Sequence, residues 1–127
     1  MNRKVNEITE LIIGAAIAVH KELGPRLLES AYEVCLVYEL AGNGLKVECQ
    51  KSLPVTYHGV YLDCGYRIDM LVEDKVVVEL KAVEKLEPIH EAQLLSYLKL
   101  SGRKVGLLIN FNVKVLKDGV KRLVYGF

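Results

Sequence analysis

What the chain lacks narrows its chemistry first. It has no strong excess of either charge: 17 Lys and Arg against 16 Asp and Glu leave a net charge of +1. Bulk electrostatics therefore do not mark a nucleic-acid or membrane-surface binder, although a total leaves room for a local basic patch. It lacks a cysteine framework. Cys35, Cys49 and Cys64 are odd in number, and no CxxC or Cys/His pair has zinc spacing. They read as free, buried thiols in a reducing cytosol. The chain also lacks a bilayer-length apolar run, since "LIIGAAIAV" is too short and closely flanked by charge. The "MNRK" before it has a trace of a signal peptide. Asn6, Glu7, Thr9 and Glu10 intervene, however, and no clear cleavage site follows, so the segment reads as an ordinary helix of a cytoplasmic protein. There is no internal repeat, low-complexity tract or linker, and no helix-turn-helix, zinc finger or aromatic stacking platform is visible.

What is present suits one compact domain, residues 1–127, with 51% hydrophobic and 26% charged residues. Val5, Ile8, Ile12, Ala15, Ala16, Val19 and Leu23 recur at helical spacing and predict an amphipathic helix over residues 3–23, stopped by Gly24 and Pro25. A second helix is expected over residues 27–41, ending at "GNG". Then the period changes. "LKVECQKSLPVTYHG", "VYLDCGYRIDMLV" and "KVVVELKAV" read as three strands, with turns near Gly59 and at residues 73–75. A third helix follows over residues 87–100, closed by Gly102. "KVGLLINF" has the unbroken apolar pattern of a strand buried on both faces. "VKVLKDGVKRLVYGF" reads as a terminal hairpin turning at "KDG". The expected class is α/β (α+β), a central mixed sheet flanked by helices in the order α-α-β-β-β-α-β-β.

Within the middle hairpin, charge interrupts the apolar pattern. Side chains alternate along a strand, which puts Ile68, Met70 and Val72 on one face and Arg67, Asp69 and Leu71 on the other. On the next strand, Val77, Glu79 and Lys81 share a face. A three-residue turn at 73–75 places Asp69 across from Glu79 and Arg67 across from Lys81, and a slip of one residue would undo both pairings. Opposed carboxylates repel unless a cation lies between them, and Mg2+ or Mn2+, which prefer hard oxygen ligands, would serve. A solvated outer face of a hairpin would carry the same residue types.

Asp69 followed by "ELK", Glu79 to Lys81, resembles the PD-(D/E)XK nuclease superfamily. "QLLSY" sets Gln93 and Tyr97 four apart and is similar to the Q-x-x-x-Y element of RecB-type nucleases. "GPRLLESAY" carries Gly24, Glu29 and Tyr32 in the pattern of the small GxxExxY proteins. The proline that often precedes the first acid is replaced by Ile68. The resemblance implies a restriction-endonuclease-like core, with Asp69, Glu79, Glu29 and the Leu80 carbonyl as ligands of Mg2+ or Mn2+. It makes Lys81 the residue that assists the attacking water. It also implies that Gln93 and Tyr97, with His90 one turn earlier on the same face, brace the site or contact substrate.

Several of these residues equally suit plain structural roles. Glu29 lies in the first turn of a helix, where the dipole favours a carboxylate. Tyr32 either bonds Glu29 or packs in the core. His20 is a ligand candidate, or a histidine at the end of a helix favoured by the dipole. Arg67 is a candidate phosphate contact or one side of a salt bridge, and Lys81 could be a snorkelling surface lysine. The implied activity is metal-dependent hydrolysis of phosphodiester bonds, in DNA ahead of RNA. The alternative is a nuclease-fold binding module without turnover. A homodimer could enlarge its surface through the strand at residues 104–111 or the exposed face of the first helix.

Overall fold

The computed structural model describes residues 3–126. Met1 and Asn2 of the "MNRK" segment and Phe127 of the expected terminal hairpin lie outside them. Helix α1 spans Val5–Leu23 and α2 spans Glu29–Gly42. Five strands form one sheet: β1 (Val47–Ser52), β4 (Arg67–Val72), β5 (Val76–Lys81), β6 (Val105–Asn110) and β7 (Val120–Val124), in the order β1-β4-β5-β6-β7. Among the described residues only the β5–β6 pair is parallel, joined by helix α3 (Pro88–Ser101). The short strands β2 (Val55–Tyr57) and β3 (Val60–Leu62) make a separate two-stranded ribbon. With the ribbon set aside, the element order is the expected one.

The sheet is sandwiched. Ile8, Ile12, Ala16, Leu36 and Leu40 of α1 and α2 pack on Met70, Val78, Leu80 and Leu107. Leu94, Tyr97 and Leu98 of α3 cover Leu71, Val77 and Leu108 on the other face. This explains why β5 and β6 are apolar almost throughout, as strands covered on both sides must be. Each large side chain buried this way contributes roughly 1.5–3 kcal/mol.

Several sequence expectations need correction. Two of the three long strands are each cut in two. Leu53 and Pro54 end β1, and proline has no N–H to continue a ladder. Asp63 closes a side-chain turn by accepting the Gly65 N–H at 2.9 Å, which separates β3 from β4. The terminal hairpin does not form. "LKDG" is a 3-10 turn, Leu116–Gly119, and β7 pairs directly with β6. A Cβ at Gly119 would collide with the Asn110 carbonyl, so only glycine lets the turn close there. Because β6 is bonded on both edges and buried along its length, residues 104–111 offer no dimer surface. The thiols are free but not buried: Cys49 and Cys64 are exposed and Cys35 is half-buried. No helix among the described residues is long and apolar enough to cross a membrane.

Candidate active site

The hairpin of β4 and β5 turns through residues 73–75, where Glu73 and Asp74 both take positive φ. The turn sets Met70 against Val78, Leu71 against Val77 and Val72 against Val76. One step further, Asp69 would face Glu79, but the ladder stops there. The two acids replace it. The Asp69 N–H donates to Glu79 Oε2 at 2.8 Å, and the Leu80 N–H donates to Asp69 Oδ2 at 2.8 Å. Strand alternation also fails at this point: Ile68 packs beside Leu71 rather than with Met70 and Val72. On the other side of β4, the β1 ladder skips the Gln50–Asp69 position, where Gln50 adopts a φ of 50°. That left-handed conformation is costly for a residue with a side chain and is held by its surroundings.

Gln50 uses the bend to reach across. Its Nε2 donates to Glu33 Oε1 at 2.8 Å and approaches Asp69 Oδ1 at 3.5 Å. Glu29, Ser30, Glu33, Gln50, Asp69 and Leu80 line one small cavity of about 140 Å3. Glu33 and Gln50 were not anticipated. Glu33 had a usable signal, because it is four residues from Glu29 on the same face of α2. Gln50 had none, since its role depends on backbone geometry set by β4.

Glu79 is 4% exposed. Burial first, then the charge of Asp69, pushes its carboxyl up to about 8; Glu29 adds to the rise, while the Asp69 N–H and Lys81 oppose it. In this arrangement Glu79 holds its proton at neutral pH. Cys49 feels the same anionic field: though the residue is exposed overall, partial desolvation of its thiol and then the charges of Glu33 and Asp69 push it up. Lys81 Nζ donates to Gln93 Oε1 at 3.2 Å, and Gln93 Nε2 donates to the Tyr97 hydroxyl at 3.2 Å. The chain from sheet to α3 thus fixes where the ammonium stands. Burial, and next the Glu79 charge, raises the Tyr97 hydroxyl.

Tyr32 does not bond Glu29. Its hydroxyl donates to the Gly24 carbonyl at 2.6 Å and accepts the Leu27 N–H at 3.1 Å, while its ring stacks on Phe111 at 4.3 Å. Gly24 has a φ of 71° and ψ of −175°, a conformation open essentially to glycine. Gly24 and Tyr32 therefore lock the turn between α1 and α2, and that lock places Glu29 at the start of α2. His20 does not join the carboxylates. Its Nε2 bonds the Val113 carbonyl at 2.8 Å, and it lines a different groove with Lys21 and Lys114. Arg67 does not face Lys81; it pairs across from Ser52, donates to Ser52 Oγ and to the Tyr66 carbonyl, and lies 3.9 Å from Asp63. His90 Nδ1 accepts the Glu87 N–H in the capping box of α3. Among the described residues, no three His, Cys, Asp or Glu side chains are spaced to hold a metal ion.

No curated protein and no solved structure matches the chain. A family model does: that of the PD-(D/E)XK nuclease superfamily matches residues 6–123. Nucleases of that superfamily generally use divalent metal ions, and the helix-flanked mixed sheet agrees with their restriction-endonuclease-like fold. A match running from α1 to β7, across the hairpin that carries Asp69, Glu79 and Lys81, shows that the chain belongs to the PD-(D/E)XK nuclease superfamily.

Proposed function

We propose that this protein hydrolyses phosphodiester bonds in nucleic acid, DNA ahead of RNA, with Mg2+ or Mn2+. We read residues 1–127 as a single nuclease domain acting in the cytoplasm, and place it with the GxxExxY proteins inside the superfamily. One observation carries this reading: where the β4–β5 ladder stops, Asp69 and Glu79 interlock through each other's strand, with the Asp69 N–H on Glu79 and the Leu80 N–H on Asp69, and burial first and then the Asp69 charge push Glu79 up to about 8. Crowded hard oxygens are the donor set that a divalent cation relieves. Asp69, Glu79, Glu29 and the Leu80 carbonyl would hold it, but only after the side chains draw together, since among the described residues no three acids stand close enough to share a cation as they are. Asp69 and Glu79 would have to turn their oxygens away from the Leu80 and Asp69 N–H groups to do so. When bound, such an ion supplies Lewis acidity, acidifying water and offsetting charge on the phosphate. Lys81 orients the attacking water and meets negative charge growing on the phosphate. Gln93 positions Lys81, and Tyr97 positions Gln93. On this reading His20 and Arg67, each hydrogen-bonded elsewhere, serve structural roles.

A second reading, a binding module without turnover, alone or as a homodimer, is favoured by one fact. Asp69 Oδ2 and Glu79 Oε2 are already satisfied by backbone N–H groups. The test is incubation with linear and supercoiled DNA and Mn2+, beside Asp69→Ala and Lys81→Ala. Mn2+-dependent cutting that disappears in both variants supports the hydrolase. No cutting, with no Mn2+ binding by calorimetry, supports the module.

A further inference from the structure

A second cavity has Lys81 in its lining and none of the carboxylates that line the smaller one. It has a volume of about 610 Å3 and runs between α3 and the base of the β2–β3 ribbon, lined by Lys81, Gln93, Tyr97, Tyr66, Val55 and Ile89 among others. We propose that it receives an unpaired nucleobase of the strand being cut, so that the substrate is single-stranded nucleic acid or an unpaired end rather than closed duplex. This rests on the nuclease reading, because Lys81 lines the cavity and is, on that reading, the group that meets the phosphate. In a nucleic-acid strand, what is bonded to that phosphate is a nucleoside.

The lining suits a base. Tyr66 is 45% exposed and Tyr97 7%. Their ring centroids are 6.1 Å apart at 59°, so they stand as two tilted walls rather than a closed stack. Unpaired bases are held by aromatic faces together with a few hydrogen bonds to their edges. Gln93 spends one donor on Tyr97 and one acceptor position on Lys81 and keeps further capacity for both. His90, whose Nδ1 accepts the Glu87 N–H, carries its proton on Nε2 and adds a donor. Ile89, 72% exposed, forms an aliphatic lip.

The ribbon extends the track. Val55 pairs with Leu62 and Tyr57 with Val60, and opposed residues share a face, so these four make one apolar face running on from the cavity wall. Tyr57 on it is 62% exposed. A base inside a duplex could reach the cavity only by leaving its stack at a cost, whereas an unpaired base reaches it without one. The proposal also accounts for the net charge of +1. Gripping a duplex needs many phosphate contacts, while single strands are held to a large part by stacking. The aromatic platform that the linear sequence does not display is assembled by bringing Tyr66 of the β3–β4 connection to Tyr97 of α3.

The test is anisotropy of a labelled single-stranded oligonucleotide and of the same sequence as blunt duplex, each in EDTA and in Ca2+. Tyr66→Ala and Tyr66→Phe are compared with wild type, and abasic oligonucleotides are run on wild type so that the result does not depend on one variant folding. The expected result is tighter binding of the single strand than of the duplex. Tyr66→Ala and removal of the bases should each weaken it by about 10-fold, and Tyr66→Phe should retain it. Equal affinity for both forms, or indifference to Tyr66→Ala and to abasic sites, overturns the base pocket but leaves the nuclease reading standing if DNA is still cut with Mn2+. A protein that binds and cuts neither form overturns both.

Discussion

Replacing Glu79 by glutamine isolates the electrostatic strain at the centre of the site. Glu79 is buried, and burial and Asp69 raise its carboxyl from 4.5 to about 8. The folded protein therefore binds a proton here that the unfolded chain releases above 4.5, and stability falls as pH rises from there through about 8. Such a displacement corresponds to a loss on the order of 5 kcal/mol in full, of which about half falls between pH 6 and pH 9. Glutamine is neutral at every pH and its carbonyl can still accept the Asp69 N–H, so Glu79→Gln should lose this dependence while keeping the contact. Urea unfolding in EDTA at several pH values from 6 to 9 reads the effect as wild type minus variant, which cancels the other titrating groups. The variant should gain on wild type from pH 6 up to about pH 8 and level off above it. Adding Mn2+ at pH 8 should reverse the order, since only an ionised Glu79 takes a cation. Parallel stability curves in EDTA would refute the reasoning, for they would mean that Glu79 is ionised without penalty despite its burial and its neighbours.

Three further outcomes are expected. Tyr32→Phe should destabilise the fold by about 1–3 kcal/mol in urea, because the Gly24 carbonyl and the Leu27 N–H both lose their partner. It should also lower Mn2+-dependent cutting by loosening the turn that places Glu29. Asn110→Ala should cost about 2–4 kcal/mol, since the buried Asn110 side chain bonds both the N–H and the carbonyl of Val83 and holds the chain just after Lys81. Gly119→Ala should cost more than about 2 kcal/mol by thermal unfolding, because the new methyl meets the Asn110 backbone, which has no rotamer with which to yield.

How much of this was legible in the sequence depends on the range of the interaction. The helices were readable because their apolar spacing is local and Gly24 and Gly102 punctuate it. The register that brings Asp69 to Glu79 was readable because a hairpin turn counts residues. The doubly buried β6 showed in its unbroken apolar run. The breaks in the two long strands were also written locally, in Pro54 and in Asp63–Gly65, but continuous β-propensity masked them. The terminal segment misled because a "KDG" turn is a local signal, and the free edge of β6 outcompeted it for Val120–Val124.

The site itself was legible only in part, for a physical reason. Sequence alternation says which side chains face each other, but it assumes that the ladder continues, and here the arrangement of Asp69 and Glu79 depends on the ladder stopping. Asp69 and Glu79 take over the amide partners that a continuing strand would have supplied. That substitution needs β4 to bend away from β5, and β1 skips a pair at the same level, where Gln50 holds its left-handed backbone and ties Glu33 toward Asp69. Glu33, Gln50 and Asp69 come from three elements with no sequence pattern in common. The Gly24–Tyr32 lock follows the same logic. Its motif was readable, but its meaning was not, because a hydroxyl three residues from Glu29 could equally have bonded the carboxylate. It bonds the preceding turn instead, and so governs the site by fixing where α2 begins rather than by touching the acids.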